Sequence, residues 1–127
     1  MRLLLDTHIA LWAVTASPRL SPEAQSLILR ADEVHVSAAT LWEIAIQHAL
    51  ARGDMAVSAA SALQTFESAG YQVLNVAPAH VLAVESLPTW HKDPFDRLLV
   101  AKAATEPLRL LTADAVLARY SDLVFVV

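Results

Sequence analysis

The stretch RLLLDTHIALWAV, residues 2–14, contains the strand and helix from which the fold can be worked out. Residues 2–6 are a short apolar run ending in Asp6, which is typical of a strand buried on both faces of a sheet. Residues 7–14 then predict a short helix. A strand followed directly by a helix is half of a βαβ unit, so a parallel sheet requires this pattern to repeat along the chain.

The alternation of strands and helices does continue to the last residue. Further strands are predicted at residues 33–37, 71–76, 108–114 and 123–127. Helices are predicted at residues 20–31, 38–53, 58–70, 78–87, 93–105 and 115–120. Strands separated by helices indicate βαβ units, so we predict an α/β fold of three layers, in which a mostly parallel sheet of five short strands is flanked by helices on both faces.

Punctuating residues support several of these helix boundaries. Ser21 and Pro22 are a typical N-cap and first helical residue for the segment 20–31. Gly53 and Gly70 are expected to end the helices at 38–53 and 58–70.

Size and composition limit the classes of protein that the chain can represent. Its 127 residues fit one domain spanning 1–127 with one buried core. Hydrophobic residues make up 56% of the chain and charged residues 17%, which argues against disorder. Absence of cysteine excludes disulfides and thiolate metal sites, and we expect a cytoplasmic protein. No apolar run approaches the roughly 18 to 20 residues of a membrane helix, so no membrane association is expected.

The net charge of −4 does not favour a protein that binds nucleic acid through a broad basic surface. Contact with nucleic acid would therefore depend on local basic groups or on a bound cation. The high apolar fraction suggests that one face is buried against a second copy of the chain or against a partner.

Acidic residues recur where predicted strands and helices meet. Asp6 ends the first strand, and Asp114 follows the core of the fourth. Glu43 lies in the first turns of the helix after the second strand, while Asp93 and Asp96 begin the helix that precedes the fourth strand. Because the carboxyl ends of parallel strands lie at one edge of a sheet, these side chains are expected to converge there.

Helix capping is the simpler explanation for each acid taken alone. Asp93 before Pro94 is a good N-cap, Asp114 is placed to cap the helix at 115–120, and Thr40 and Glu43 have the spacing of a capping box. Capping does not require the acids to meet. If they do, their repulsion must be relieved by raised pKa values or by a cation, and oxygen ligands without cysteine suit Mg²⁺ or Mn²⁺.

Four motifs in order resemble the PIN domain, and more narrowly the VapC-like ribonuclease toxins of type II toxin–antitoxin pairs. They are LLLDTHIALW (3–12), VSAATLWEIAI (36–46), HKDPFDRLLVAKA (91–103) and LLTAD (110–114). The resemblance implies a sheet of strand order 3-2-1-4-5. It also implies that Asp6, Glu43, Asp96 and Asp114 form a catalytic acidic quartet, with Asp6, Asp96 and Asp114 as ligands of Mg²⁺.

The same resemblance implies accessory residues, a reaction and partners. Asp93 would be an accessory acid, and Thr7 and Thr112 would be hydroxyls near the metal or its waters. The implied reaction is endonucleolytic hydrolysis of RNA by a metal-activated water, leaving a 5′-phosphate and a 3′-hydroxyl. The implied partners are a small antitoxin protein, the RNA substrate and a second copy of the chain in a homodimer.

Basic and aromatic residues near the acids have two interpretations each. Lys92, Arg97 and Lys102 either bind RNA phosphates or are solvent-exposed charges, and for Arg97 an ion pair with a neighbouring acid is a further alternative. Trp90 either stacks on a base or covers the edge of the core. His91 is a candidate general base, although a structural hydrogen-bonding role is favoured because no nucleophile accompanies it.

Three other functions compete with a toxin nuclease. A signalling receiver domain needs an aspartate at the end of its third strand, whereas this chain has Asn75 in VLNVAP (73–78). A catalytically inactive PIN-like binding module is disfavoured by the complete acidic quartet. A PIN-domain nuclease that processes RNA without an antitoxin remains open.

Overall fold

The computed structural model describes residues 1–50 and 57–127. The strands are β1 (Arg2–Leu5), β2 (Glu33–Ser37), β3 (Gln72–Leu74), β4 (Arg109–Thr112) and β5 (Val124–Val126). The helices are α1 (Thr7–Val14), α2 (Pro22–Arg30), α3 (Ala38–Ala49), α4 (Ala59–Ser68), α5 (Pro78–Glu85) and α6 (Pro94–Thr105). A short 3₁₀ helix, Ala115–Arg119, separates β4 from β5.

The five strands form one sheet in the order β3-β2-β1-β4-β5, and neighbouring strands run parallel. The predicted fold class and strand order are therefore confirmed. β1 lies at the centre, where Leu4 is in register with His35 of β2 on one side and with Leu110 of β4 on the other. This register sets the end of β1, which carries Asp6, between the ends of β2 and β4.

Successive side chains of the sheet point to opposite faces and pack into two separate cores. Helices cover both cores, so the fold has three layers. On one face, Leu3 and Leu5 pack with residues of α1, α2, α3 and α4, including Ile9, Ala24, Ile44 and Phe66. On the other face, Leu4 and Leu110 pack with residues of α6 and the 3₁₀ helix, including Leu99, Val100 and Leu117. The central strand is buried on both faces, as its run of leucines predicts.

Most helix boundaries follow the residues that cap them. Ser21 accepts a hydrogen bond from the Ala24 amide and Pro22 is the first residue of α2, as predicted. Gly70, with φ of 84°, follows α4 in the left-handed conformation that favours glycine. α3 ends at Ala49, and the predicted end at Gly53 lies outside the described residues.

The predicted capping box of Thr40 and Glu43 is wrong. Ser37 caps α3 instead, accepting a hydrogen bond from the Ala39 amide at 3.0 Å. The side chains of Thr40 and Glu43 are therefore left for other contacts. Of the helices in residues 1–50 and 57–127, none is both long and apolar enough to cross a membrane.

Candidate functional site

Three of the predicted acids line one cleft at the carboxyl edge of the sheet. Asp6 follows β1, Asp96 lies in the first turn of α6, and Asp114 follows β4. The cleft has a volume of about 380 Å³. Its wall is completed by four residues, namely His8, Trp12, Arg19 and Ala113. Acids from distant parts of the chain thus converge where the parallel sheet predicts.

Asp6 is buried, with 6% of its surface exposed, and both of its carboxylate oxygens accept hydrogen bonds. Oδ1 accepts from the amide of Ile9 at 2.8 Å, which makes Asp6 the N-cap of α1. Oδ2 accepts from the hydroxyl of Thr112 at 2.6 Å. The end of β4 therefore orients the carboxylate that ends β1.

Asp114 is the N-cap of the 3₁₀ helix and is oriented from a second direction. Its Oδ1 accepts from the amide of Val116 at 3.0 Å, as predicted for a cap. Its Oδ2 lies 2.7 Å from Nε2 of His91. Its own amide donates to the Thr112 hydroxyl at 3.0 Å, so Thr112 connects Asp6 and Asp114.

Asp93 is the N-cap of α6, as predicted. Its Oδ1 accepts from the amides of Phe95, at 2.8 Å, and Asp96, at 3.1 Å. Capping α6 fixes the first turn of that helix, from which Asp96 enters the cleft. Oδ2 of Asp96 lies 3.5 Å from Nε2 of His91.

Glu43 reaches the site through a chain of hydroxyl groups. The Thr7 hydroxyl donates to Glu43 Oε1 at 2.6 Å, so the Thr40 hydroxyl, 3.1 Å from that of Thr7, donates to Thr7 in turn. Gln47 donates to Glu43 Oε2 at 3.3 Å. Because Thr7 follows Asp6 in the chain, this network joins α3 to the cleft.

Burial and mutual repulsion oppose ionisation of these carboxyl groups. Burial, reinforced by the charges of Asp93 and Asp6, raises the pKa of Asp96 to about 7. Burial also raises the pKa values of Asp6 and Glu43, despite their hydroxyl donors. Such a cluster is stabilised in its charged form by a cation.

The donor set fits a hard divalent cation. Asp6, Asp96 and Asp114 offer carboxylate oxygens from three different segments, which are ligands that Mg²⁺ and Mn²⁺ prefer. Ligand atoms of His91, Asp96 and Asp114 all lie within 4.8 Å of one another. Asp96 and Asp114 are therefore close enough for shared coordination, whereas Asp6 lies outside that group, and the assignment of individual ligands remains a prediction.

His91 contacts two acids of the quartet, Asp96 and Asp114, without belonging to it. The amide of Asp93 donates to His91 Nδ1 at 3.1 Å, so in the neutral ring the proton resides on Nε2. Nε2 then donates to Asp114, which is the structural hydrogen-bonding role favoured from the sequence. Only the proximity of His91 to Asp93 and Asp96 in the chain gave a signal for it.

Neither interpretation of Lys102, as a phosphate contact or as a solvent-exposed charge, is correct. Lys102 is completely buried, with 0% of its surface exposed, and its Nζ donates to Ser37 Oγ at 2.5 Å and to the Leu74 carbonyl at 2.9 Å. Burial lowers its pKa to about 8. The ammonium group thus joins α6 to the carboxyl ends of β2 and β3.

Arg97 is also committed to internal contacts, which argues against its predicted role in RNA binding. Its guanidinium group donates to the Tyr120 hydroxyl at 3.3 Å and to four carbonyl oxygens, those of Val84, Leu87, Pro88 and His91. It therefore fixes the segment between α5 and α6, which carries His91. Lys92, by contrast, is exposed next to His91, and its predicted contact with RNA stays a prediction.

Trp90 has aromatic and cationic neighbours within the chain. Its ring centroid lies 5.1 Å from that of Tyr120, and the Arg119 guanidinium carbon lies 4.5 Å from the Trp90 centroid. The Tyr120 hydroxyl accepts from the His91 amide at 2.9 Å. These contacts favour the interpretation that Trp90 covers the edge of the fold.

His8, Trp12 and Arg19 line the cleft although the sequence gave them no role there. His8 and Trp12 are four residues apart on α1, with ring centroids 5.8 Å apart. That spacing places both on one side of the helix that begins at Asp6. Their position in the helix that follows Asp6 was thus the signal from which their place in the cleft could have been predicted.

Sequence comparison relates the chain to a known family. The PIN domain family matches residues 3–123. Ribonuclease VapC22 of Mycobacterium tuberculosis is 33% identical over 112 residues, which cover 87% of this chain and 85% of that protein.

Solved structures share the fold at lower sequence identity. VapBC2 from Rickettsia felis, bound to a DNA fragment from its promoter, has a TM-score of 0.70 at 18% identity and covers 100% of this chain and 98% of its own. A toxin–antitoxin complex from Klebsiella pneumoniae has a TM-score of 0.66 at 19% identity, with coverage of 97% and 95%. VapC20 of M. tuberculosis, a sarcin-ricin loop cleaving toxin, has a TM-score of 0.62 at 16% identity, with coverage of 94% and 97%. The fold, the family match and the VapC22 relationship together establish that this chain belongs to the PIN-domain family and is VapC-like.

Proposed function

We propose that this protein is a Mg²⁺-dependent endoribonuclease and the toxin of a type II toxin–antitoxin pair. The observation that carries the proposal is the convergence of Asp6, Asp96 and Asp114 in one cleft, each on a different segment of the chain. The relationship to Ribonuclease VapC22 supports RNA as the substrate. Capping alone would explain Asp6 and Asp114, but neither Asp96 nor the common cleft.

Asp6, Asp96 and Asp114 would hold Mg²⁺, for which Mn²⁺ can substitute. When bound, the ion supplies a Lewis acid that lowers the pKa of a coordinated water and neutralises charge on the phosphoryl oxygens. Glu43 would complete the coordination shell or orient the attacking water. Asp93 would assist as an accessory acid through its charge near Asp96.

Neighbouring donors prepare these carboxylates for that role. The Thr112 hydroxyl fixes Asp6, the Thr7 hydroxyl fixes Glu43, and the His91 ring fixes Asp114. Donors of this kind set ligand orientation before a cation arrives, so less reorganisation accompanies binding. Thr7 and Thr112 are thus proposed as accessory residues that act through the acids they contact.

A small antitoxin protein is the proposed protein partner. Similar structures include VapBC2 from R. felis and the K. pneumoniae toxin–antitoxin complex, which supports this assignment. We place the protein in the cytoplasm, where such a partner and RNA are both available, and regard residues 1–127 as one catalytic domain.

A homodimer is proposed through the exposed side of α3. Trp42, Ile46 and Leu50 repeat every four residues and all remain exposed, with Trp42 at 63%. Such spacing forms one apolar stripe along a helix, here called the α3 stripe. The occupant proposed for it is the same stripe of a second copy, because a two-fold interface pairs identical surfaces.

The decisive test is metal-dependent cleavage of RNA by the purified protein. Total RNA is incubated with the protein and Mg²⁺, and new ends are mapped by sequencing. Cleavage should require Mg²⁺ or Mn²⁺, stop on chelation, and fall at least about a hundredfold in Asp6→Asn and Asp96→Asn. Wild-type cleavage rates in Asp6→Asn, or equal cleavage in chelator, would reject the mechanism.

The antitoxin assignment has its own test. Inducible expression of the protein alone should arrest growth, and co-expression of a small protein encoded immediately upstream should restore growth. Asp96→Asn is the control: cells that express it should grow without the upstream protein. RNA cleavage in vitro without any growth arrest would instead favour an RNA-processing nuclease.

A further inference from the structure

His8, Trp12 and Arg19 line two adjoining cavities, only one of which contains the acids. The first is the acidic cleft with Asp6, Asp96 and Asp114. The second, of about 250 Å³, is lined by the same three residues together with Leu11, Thr15, Ser17 and Val57. Shared walls make the two cavities one groove, here called the α1 groove, which leads from the acids along α1.

The α1 groove combines aromatic rings with a positive charge. His8 is exposed, whereas Trp12 is half-buried and packs one side against the hydrophobic core. The core contact fixes the indole ring and leaves its remaining surface to the groove. Arg19 carries a permanent positive charge at the point where the groove meets the acids.

We propose that the α1 groove binds the nucleotide that flanks the scissile phosphate, with its base against Trp12 and His8 and its phosphate near Arg19. The proposal rests on the proposed ribonuclease function and assigns specificity-determining residues to it. A phosphate at the acids must have a nucleotide on either side, and the α1 groove is a path that opens directly from the acids.

Single-stranded RNA suits this surface better than a peptide does. Stacking on aromatic rings and contact of phosphates with cations are the two main sources of affinity for single strands. The α1 groove supplies both side by side.

Fluorescence of Trp12 tests the stacking directly. The chain has three tryptophans, so a variant with Trp42→Phe and Trp90→Phe retains Trp12 alone. Asp114→Asn is added to slow cleavage, and an eight-nucleotide RNA of mixed sequence is titrated with Mn²⁺ present. Binding, followed separately by anisotropy of a labelled RNA, should quench Trp12 emission. An abasic RNA of the same length should bind more weakly and quench less.

Steady-state cleavage provides the second measurement. Trp12→Leu and His8→Ala should each raise KM roughly tenfold and leave kcat within about twofold, since stacking stabilises the bound strand. Trp12→Phe keeps a ring and should recover most of the loss. Leu82→Ala, a truncation of an exposed apolar side chain on α5 outside the groove, should leave KM unaltered. Because His8 is exposed, His8→Ala also reports on the groove if Trp12→Leu does not fold.

The outcomes separate this proposal from the proposed function. RNA cleavage with unchanged KM in both variants would overturn the groove assignment and leave the nuclease intact. So would binding of RNA without quenching, or variants that lose inhibition by the antitoxin while retaining KM, which would make the groove a protein-binding surface. Absence of any wild-type cleavage or RNA binding would reject both proposals.

Discussion

Hydrogen-bond donors beside the acids determine how each carboxylate points. Thr112, Thr7 and His91 donate to Asp6, Glu43 and Asp114, respectively, at distances of 2.6 to 2.7 Å. Each donor belongs to a different element from its acid. The orientation of the acids is therefore a property of how the elements pack, and substitutions that keep every acid should still impair the site.

Thr112→Val tests this orientation because valine keeps the shape and removes the hydroxyl. We expect metal affinity and cleavage rate to fall by roughly 10- to 100-fold, as for other residues that orient metal ligands. Isothermal titration with Mn²⁺ measures the first and RNA cleavage the second. Thr112→Ser retains the donor and serves as the control, and equal affinities in the two variants would contradict the prediction.

The raised pKa of Asp96 predicts a dependence of stability on pH. Its pKa changes from 3.8 in the unfolded chain to about 7 in the folded protein. The folded state therefore binds the proton more tightly, and this contribution to stability is lost as pH rises from about 4 to 7. Asparagine does not ionise, so the stability of Asp96→Asn lacks this dependence on pH.

In chelator, Asp96→Asn should thus gain in Tm relative to wild type between pH 5 and pH 8, by on the order of 5 °C. Saturating Mn²⁺ at pH 8 should reverse the ranking, because the metal needs the carboxylate. Thermal unfolding at both pH values checks each statement. A difference in Tm that is the same at pH 5 and pH 8 would show that Asp96 ionises normally.

Residue types and positions in the sequence predicted which acids converge at the site. They did not predict how the side chains of these acids are oriented. Asp6, Asp96 and Asp114 converge because they lie near the carboxyl ends of β1 and β4 or in the first turn of α6. The donor role of His91 depends on the Asp93 amide, which no pattern of letters reveals. Lys102 was placed near the acids because it follows Asp96 by only six residues in the sequence. On a helix, six residues correspond to a rotation of about 240°, so the two side chains point in different directions.

At the scale of elements, Lys102 joins three segments at one buried point. α6 carries the lysine, and β2 and β3 supply its acceptors, Ser37 Oγ and the Leu74 carbonyl. Ser37 also caps α3, which carries Glu43. The ammonium group therefore connects the helix of Asp96 to the helix of Glu43 without entering the cleft.

Lys102→Met should change the pH dependence of stability in the alkaline range. Burial lowers the lysine pKa from 10.5 to about 8, so the unfolded chain binds the proton more tightly. Wild-type stability then rises as pH increases from 8 to 10.5, by up to about 3 kcal/mol, whereas Lys102→Met lacks this rise. Urea unfolding at pH 7.5 and pH 10 measures the difference, with Lys92→Met as the exposed control. Parallel curves for wild type and Lys102→Met would contradict it.

Elements were predicted better than their ends. Alternating apolar runs and cap residues indicated every described strand and helix, because burial on both faces and capping are local signals. Strands β1, β3, β4 and β5 are shorter than predicted, whereas β2 has the predicted bounds. The capping box at Thr40 failed because α3 begins at Ala38, so Thr40 lies inside the helix and Ser37, the last residue of β2, is the N-cap.

At the scale of the whole molecule, three of the exposed large apolar side chains line up as the α3 stripe. Trp42 and Ile46 of the α3 stripe lie on the helix that also carries Glu43, and Leu50 is the C-cap of that helix. Trp42 packs edge-on against Phe95 of α6, with ring centroids 5.1 Å apart. A dimer formed here would thus contact both helices that hold acids of the site.

Ile46→Glu should convert a dimer into a monomer, because two copies of the change place like charges opposite each other in an apolar interface. Sedimentation velocity of wild type and variant measures the assembly state. Leu82→Glu on α5 introduces the same charge at another exposed apolar position and should leave the dimer intact. A dimer that survives Ile46→Glu would place the interface elsewhere.

The hydrogen bond between Thr112 and Asp6 spans 106 positions of the chain. During synthesis on the ribosome, Asp6 is made first. Thr112, whose hydroxyl orients it, is added only when nearly the entire polypeptide has been made. Prematurely terminated products that stop before β4 lack Asp114 as well. The site is therefore completed only late in translation. Fragments that end before β4 lack a complete acidic site.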